Sequence, residues 1–234
     1  MTINDRRARR RTLEAIYRRL FSAFGPQYWW PGETPMEVAV GAILTQNTSW
    51  TNASRAVQQL KQRGLLDPKR LNRFPVRQLA VLIRSSGYFN QKARRLKTFA
   101  SYLLEKHQGD LERMKRIPAA RLREELLGLS GIGPETADSI LLYALGKPLF
   151  VVDAYTRRVL ARHSLIPWDA PYREIQTLFM AEGKGADRSE VAYFNEYHAL
   201  LVQLGKSFCR THPKCQLCPL RSIGHLQLET TPAP

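Results

Sequence analysis

Apolar residues recur at helical spacing along nearly the whole chain, and joints containing Gly and Pro interrupt them at short intervals. No stretch alternates apolar and polar residues as a half-buried strand does, so the expected fold class is all-α. Helices are expected at about 10–24, 35–46, 51–63, 76–84, 91–106, 119–128, 134–145, 153–162, 172–180 and 188–204. The joints fall at Gly25-Pro26, Pro31-Gly32, Pro68, Pro75, Gly87, Pro118, Gly131 with Gly133, Gly146 with Pro148, and Pro167 with Pro171. Connections this short suit helices packed against their sequence neighbours, and no fixed-period repeat or low-complexity linker divides the 234 residues.

Charge narrows the partners. Against 20 Asp and Glu stand 36 Lys and Arg, and the resulting net charge of +16 attracts a polyanion. Nucleic acids and acidic membrane surfaces both qualify on charge alone, but no apolar run reaches the roughly 18 residues of a membrane helix. A cytoplasmic, nucleoid-associated protein with no membrane role is therefore expected. Arg6, Arg7, Arg9, Arg10 and Arg11 crowd the N-terminus with no apolar segment after them, a pattern that speaks against a secretory signal. They read as a nucleic-acid-contacting arm merging into the first helix, with an Arg-rich transit peptide as the other reading. Cys209, Cys215 and Cys218 are too few for a disulfide framework and are grouped as metal ligands in a reducing compartment often are. Residues 226–234 read as a disordered tail.

The most informative segment is LLGLSGIGPETAD, from Leu126 to Asp138. One helix ends near Gly128, a hairpin runs through Leu129, Ser130, Gly131, Ile132 and Gly133, and Pro134 stands where a first helical residue would be. Glycines at this spacing let a backbone approach a phosphate closely, and the free amides of the next helix bind the anion. An ordinary turn between two helices with a Gly cap reads equally well on this segment alone.

The continuation GKPLFVVDAYTRRVLARH, from Gly146 to His163, adds a Gly/Pro connector and a Val-Asp pair opening another helix. In that order and spacing the chain resembles the helix-hairpin-helix DNA glycosylases of the endonuclease III superfamily. GAILTQNT (41–48), GYFNQKARRL (87–96) and the terminal cysteines extend the resemblance from about residue 20 to 223. It implies a six-helix domain at 27–147, a second helical domain from 1–26 and 148–234, and DNA lying across the groove between them. It also implies that Asp153 promotes departure of a damaged base, where positive charge develops on the sugar. Read from its position alone, Asp153 is an N-cap of the helix it opens; the two roles are compatible.

Members of this family that cleave the strand carry a Lys two residues after the second hairpin Gly, and here that position is Glu135. A carboxylate cannot form an imine, so hydrolysis of the glycosidic bond alone is expected, although another lysine could act. Glu135 reads either as a pocket group or as a first-turn acid favoured by the helix dipole. Tyr28, Trp29, Trp30 and Pro31 read as rings lining a base pocket, with Trp packing at a domain junction as the plainer account. With Glu135, they resemble the branch that excises 3-methyladenine, a cationic base to which aromatic faces offer about 0.5–2 kcal/mol. Gln46, beside Asn47, resembles the family residue that fills the gap left by the flipped nucleotide, or it is a helix-end amide satisfying backbone groups. Lys92, Arg94 and Arg95 are expected to contact phosphates, as are the backbone groups of Leu129, Gly131 and Gly133.

Cys209-x5-Cys215-x2-Cys218 resembles the start of the family's four-cysteine [4Fe-4S] loop, whose fourth position would be Gly224. A zinc site using His212 or His225, and a loop closed by packing with no metal, are the other readings. The expected function is a monomeric, monofunctional glycosylase for alkylated bases in double-stranded DNA. An endonuclease III-like glycosylase and lyase for oxidised pyrimidines, and a catalytically silent DNA-binding paralogue, are the alternatives.

Overall fold

Capping and burial fix where the helices lie in this computed structural model, which describes residues 3–182 and 189–223. Among these residues there are twelve α-helices and no strand. In chain order they are α1 (Ile3–Phe24), α2 (Pro35–Leu44), α3 (Trp50–Gln62), α4 (Pro68–Arg73), α5 (Val76–Leu82), α6 (Phe89–His107), α7 (Leu111–Met114), α8 (Ala119–Leu127), α9 (Pro134–Ser139), α10 (Ala154–Arg162), α11 (Tyr172–Glu182) and α12 (Glu190–Ser207). No helix among the described residues is long and apolar enough to cross a membrane.

The differences from the sequence expectation have local causes. Helices α4 and α7 have six and four residues, too few to show a period, and each is started by an Asp. Asp67 accepts from the Arg70 amide at 2.8 Å and Asp110 from the Glu112 amide at 2.8 Å. The basic N-terminal run is already helical from Ile3. The helix expected at 134–145 changes character at Ile140, where a π turn runs to Ala144 and Leu145 N–H bonds back to the Ile140 carbonyl at 3.2 Å.

The chain divides into two compact units, residues 30–148 and residues 1–29 with 149–234. The first is built around α2, whose residues Val38 to Leu44 are all buried. Thr34 caps α2 by accepting from Glu37 N–H at 3.1 Å, with Pro35 at the first helical position. Helix α6 packs against α4 and α5 in the same unit.

The second unit is organised by α12, which packs against α1 and α10. Tyr197, fully buried on α12, donates to the Leu13 carbonyl of α1 at 2.8 Å. Phe150 stacks flat on Phe179 of α11 with ring centroids 3.7 Å apart. Helices α10 and α12 come close at Gly205, where an added Cβ would lie 2.7 Å from Cγ of Tyr155. Gly205→Ala should therefore lower Tm. Overpacking costs about 1–3 kcal/mol, more than the ~1 kcal/mol that Ala gains over Gly in a helix. Thermal unfolding checks the sign, and an unchanged or raised Tm would show that the helices are not in contact there.

Candidate functional site

In the unit formed by residues 30–148, the hairpin is braced from three sides. Arg123 of α8 clamps Asp138 of α9 with two hydrogen bonds, Nε to Oδ1 at 2.7 Å and Nη2 to Oδ2 at 3.1 Å, so the helices flanking the turn are tied. Gln46 follows the C-terminus of α2, and its Nε2 donates to the Gly131 carbonyl at 3.1 Å and to Thr136 Oγ1 at 2.7 Å. Its Oε1 accepts from Arg95 of α6. The Arg95 side chain also lies against Gly131, where an added Cβ would be 2.7 Å from its Cγ.

Two glycines here serve different ends. Gly131 has φ +84°, a left-handed conformation that a side chain disfavours. Gly133 has φ −90°, which any residue adopts, and a Cβ there would meet nothing within 4 Å. Its bareness keeps space open outside the protein, as close approach of a backbone phosphate requires. Gly133 caps α9, Pro134 is its first residue, and Glu135 is exposed in its first turn. Leu129 is half-buried in the turn and accepts from Ile132 N–H at 3.0 Å. Asn47 is exposed with φ 50°, a conformation Asn tolerates better than most.

Lys92 corrects the sequence expectation. It is fully buried in α6, and its ammonium donates to the carbonyls of Leu44 at 2.9 Å and Ser86 at 2.6 Å, so it is not placed to meet a phosphate. Burial, helped by the charge of Arg95, lowers its pKa to about 8. Helix α6 begins at Phe89, three positions before it, and periodicity did not reveal that position 92 is on the inner face. Arg94 is exposed on the same helix.

The aromatic cluster is divided between the two units. Trp30 belongs with 30–148, where it meets Trp50 edge-on at 5.0 Å and Tyr143, in the π turn, at 5.2 Å. Gly41 makes room for this group, since a Cβ there would be 3.3 Å from both indoles. Tyr143 lies far in sequence from Trp30, Gly41 and Trp50, and nothing in its local pattern marks it as their neighbour. Tyr28, with φ 51°, is 84% exposed, and Pro31 is exposed. Trp29 belongs to the other unit, with Lys206 Nζ 5.6 Å from its ring centroid.

In that unit, Asp153 is the N-cap of α10. Its Oδ1 accepts from Thr156 N–H at 2.7 Å, and its side chain is 12% exposed. The segment before it is pinned, since Gln176 donates to the Phe150 carbonyl at 2.8 Å and Val152 N–H donates to Tyr172 Oη at 3.3 Å. Asp153 Oδ2 stands 3.7 Å from Nε2 of His198 on α12, a neighbour the sequence patterns did not single out.

The later turns of α10 hold the cysteine loop. Arg158 donates to the Cys209 carbonyl at 2.7 Å, and Arg162 donates to Cys209 Sγ at 3.3 Å and to the Arg210 carbonyl at 2.7 Å. His163 Nδ1 meets the Ile223 carbonyl at 2.7 Å. All three cysteines line one cavity with Arg162, His163 and Arg221. Burial raises the Cys218 thiol pKa, and the neighbouring Cys209 and Cys215 raise it further. Among the described residues no three His, Cys, Asp or Glu side chains converge on one ion, and His212 is exposed. Gly224 and His225 lie outside the described residues.

A family model described as HhH-GPD superfamily base excision DNA repair protein matches residues 40–184. A protein of Methanocaldococcus jannaschii named as a DNA repair glycosylase is 44% identical over 210 residues, covering 89% of this chain and 93% of its own. The structure is similar to that of an H. pylori 3-methyladenine DNA glycosylase bound to 1,N6-ethenoadenine, with TM-score 0.72 and 28% identity over 85% of this chain and 97% of that one. Endonuclease III trapped covalently on DNA shares the fold, with TM-score 0.77 and 22% identity over 92% and 94% of the two chains.

Two substitutions separate the roles of the hairpin and of Lys92. Gly133→Ala should leave Tm unchanged and weaken duplex binding about tenfold, because its methyl fills space a phosphate would use. Equal binding by the variant would remove Gly133 from the interface. Lys92→Met should lower stability by roughly 1–3 kcal/mol for each carbonyl left unpaired. It should leave the slope of log Kd against log salt unchanged, and a shallower slope would restore Lys92 as a phosphate contact.

Proposed function

Because the chain belongs to the HhH-GPD superfamily of base excision DNA repair proteins and is a DNA glycosylase, we propose that it hydrolyses the glycosidic bond of an alkylated base, of 3-methyladenine type, without cutting the strand. The observation that carries this reading is Glu135 in the first turn of α9, where lyase members carry their imine-forming lysine. Lys92, with its lowered pKa, is no substitute nucleophile, because it is sealed in the core and bound to two carbonyls.

The DNA backbone is gripped at the hairpin, through amides beside Gly131 and Gly133, with Gln46 and Arg95 holding the turn in shape. The damaged base leaves the stack and regains contact on aromatic faces, for which the indole of Trp30, in the notch made by Gly41, is suited. A methylated, cationic adenine gains cation–π attraction there and is already a good leaving group. The similarity to a 3-methyladenine glycosylase supports this choice of substrate.

As the C–N bond breaks, its electron pair goes to the departing base and positive charge grows on the deoxyribose. The Asp153 carboxylate, oriented by the amide of Thr156, stabilises that charge, and water then adds to the sugar carbon and loses a proton. If a [4Fe-4S] cluster is bound, Cys209, Cys215 and Cys218 would hold it as a fastening for the loop, and no step of excision passes through it.

Purified protein should release free methylated adenine from alkylated duplex DNA and leave the abasic strand intact. Asp153→Asn keeps a capping side chain, so it should fold normally and lose at least about a hundredfold in release. Base release and strand scission measured separately test both points. A protein–DNA adduct trapped by borohydride would overturn the monofunctional reading, and full release by Asp153→Asn would remove Asp153 from the mechanism.

A further inference from the structure

Asp153 uses one oxygen to cap α10, and the other is turned towards His198. The Nε2 to Oδ2 separation is 3.7 Å, longer than a hydrogen bond but within ion-pair range, with the His side chain 6% and the Asp side chain 12% exposed. The imidazole is enclosed on α12 and meets Phe150 edge-on, with ring centroids 6.3 Å apart. Phe150 itself is locked by its stack on Phe179 and by Gln176 on its carbonyl, so the ring of His198 has a rigid wall behind it. Two charges among the described residues act on His198: Asp153 at the start of α10 and Lys206 two turns along α12.

We infer that His198 is a positioning residue for Asp153: its neutral imidazole stands against the second carboxylate oxygen and holds the carboxylate in place, and protonation of that ring in acid pairs with the carboxylate and switches excision off. The inference rests on the glycosylase reading of Asp153 given above. A neutral ring orients the carboxylate while leaving its negative charge for the sugar cation, whereas an imidazolium cancels that charge.

Burial favours the neutral form of His198, Asp153 opposes this, and Lys206 reinforces it, so its pKa lies below the usual 6.5. At neutral pH the ring is uncharged and the site is active. A His whose folded-state pKa is depressed also makes the fold less stable as pH falls below its unfolded value, since the unfolded chain takes up the proton first. Rate and folding must therefore be followed together.

The experiment compares wild type, His198→Leu and His198→Asn by single-turnover release of methylated adenine from roughly pH 5 to 8, with circular dichroism at each pH. The wild type should lose rate in acid, below the usual imidazole range, while still folded. His198→Leu should be about tenfold slower at neutral pH with duplex affinity unchanged. His198→Asn, which restores an N–H donor, should recover part of that loss, and neither variant should show the acid limb. An acid limb in His198→Asn identical to the wild type would overturn the inference.

A second readout does not need catalysis. In an NMR titration, Asp153→Asn should lower the pKa of His198 further, because the carboxylate that raises it has been removed. An unchanged titration would overturn the pairing even in a chain that releases no base. Failure of release with the titration shift present would count against the glycosylase chemistry alone.

Discussion

The close approach of α10 and α12 is the constraint on which the unit formed by residues 1–29 and 149–234 depends. Gly205 leaves room for the Tyr155 ring, and with α12 at that distance His198 stands 3.7 Å from the carboxylate that begins α10. The same helix carries Arg158 and Arg162 and is followed by His163, and the three hold the cysteine loop by its carbonyls and by the Cys209 sulfur. One short helix thus starts at the Asp153 carboxylate and fastens the cysteine loop along its length. The loop is positioned by protein hydrogen bonds, and a cluster, where bound, would reinforce an arrangement already made.

The hairpin unit follows the same logic with different chemistry. A left-handed residue at 131 turns the chain, and the ion pair between Arg123 and Asp138 ties the helices on either side. Gln46 and Arg95 fill the space beside the turn. The basic side chains of α6 divide by depth: Lys92 is a core residue that satisfies two carbonyls, Arg95 is half-buried on the hairpin, and Arg94 alone of the three is exposed. Net positive charge attracts DNA to the molecule, but only part of that charge is available at the surface.

Much of this was readable from local pattern. The all-α class follows from apolar periodicity, the hairpin from glycine spacing and Pro134, and the capping role of Asp153 from its place before a helical run. These are short-range effects, governed by backbone sterics and by hydrogen bonds to the next few residues. Helices α4 and α7 escaped because a helix of one or two turns has no period to detect, although Asp67 and Asp110 were available as signals.

The sequence by itself determined which residues bear chemistry: a carboxylate at 153, no lysine at 135, and three thiols after 208. Only the tertiary structure decided what surrounds them. Whether Lys92 faces solvent or core, whether Trp30 meets Trp50 and Tyr143, and whether Asp153 has His198 beside it all depend on contacts between segments distant in the chain. Such contacts are set by how packed helices fill volume, and that is a property of the whole unit, which no local pattern of residues encodes.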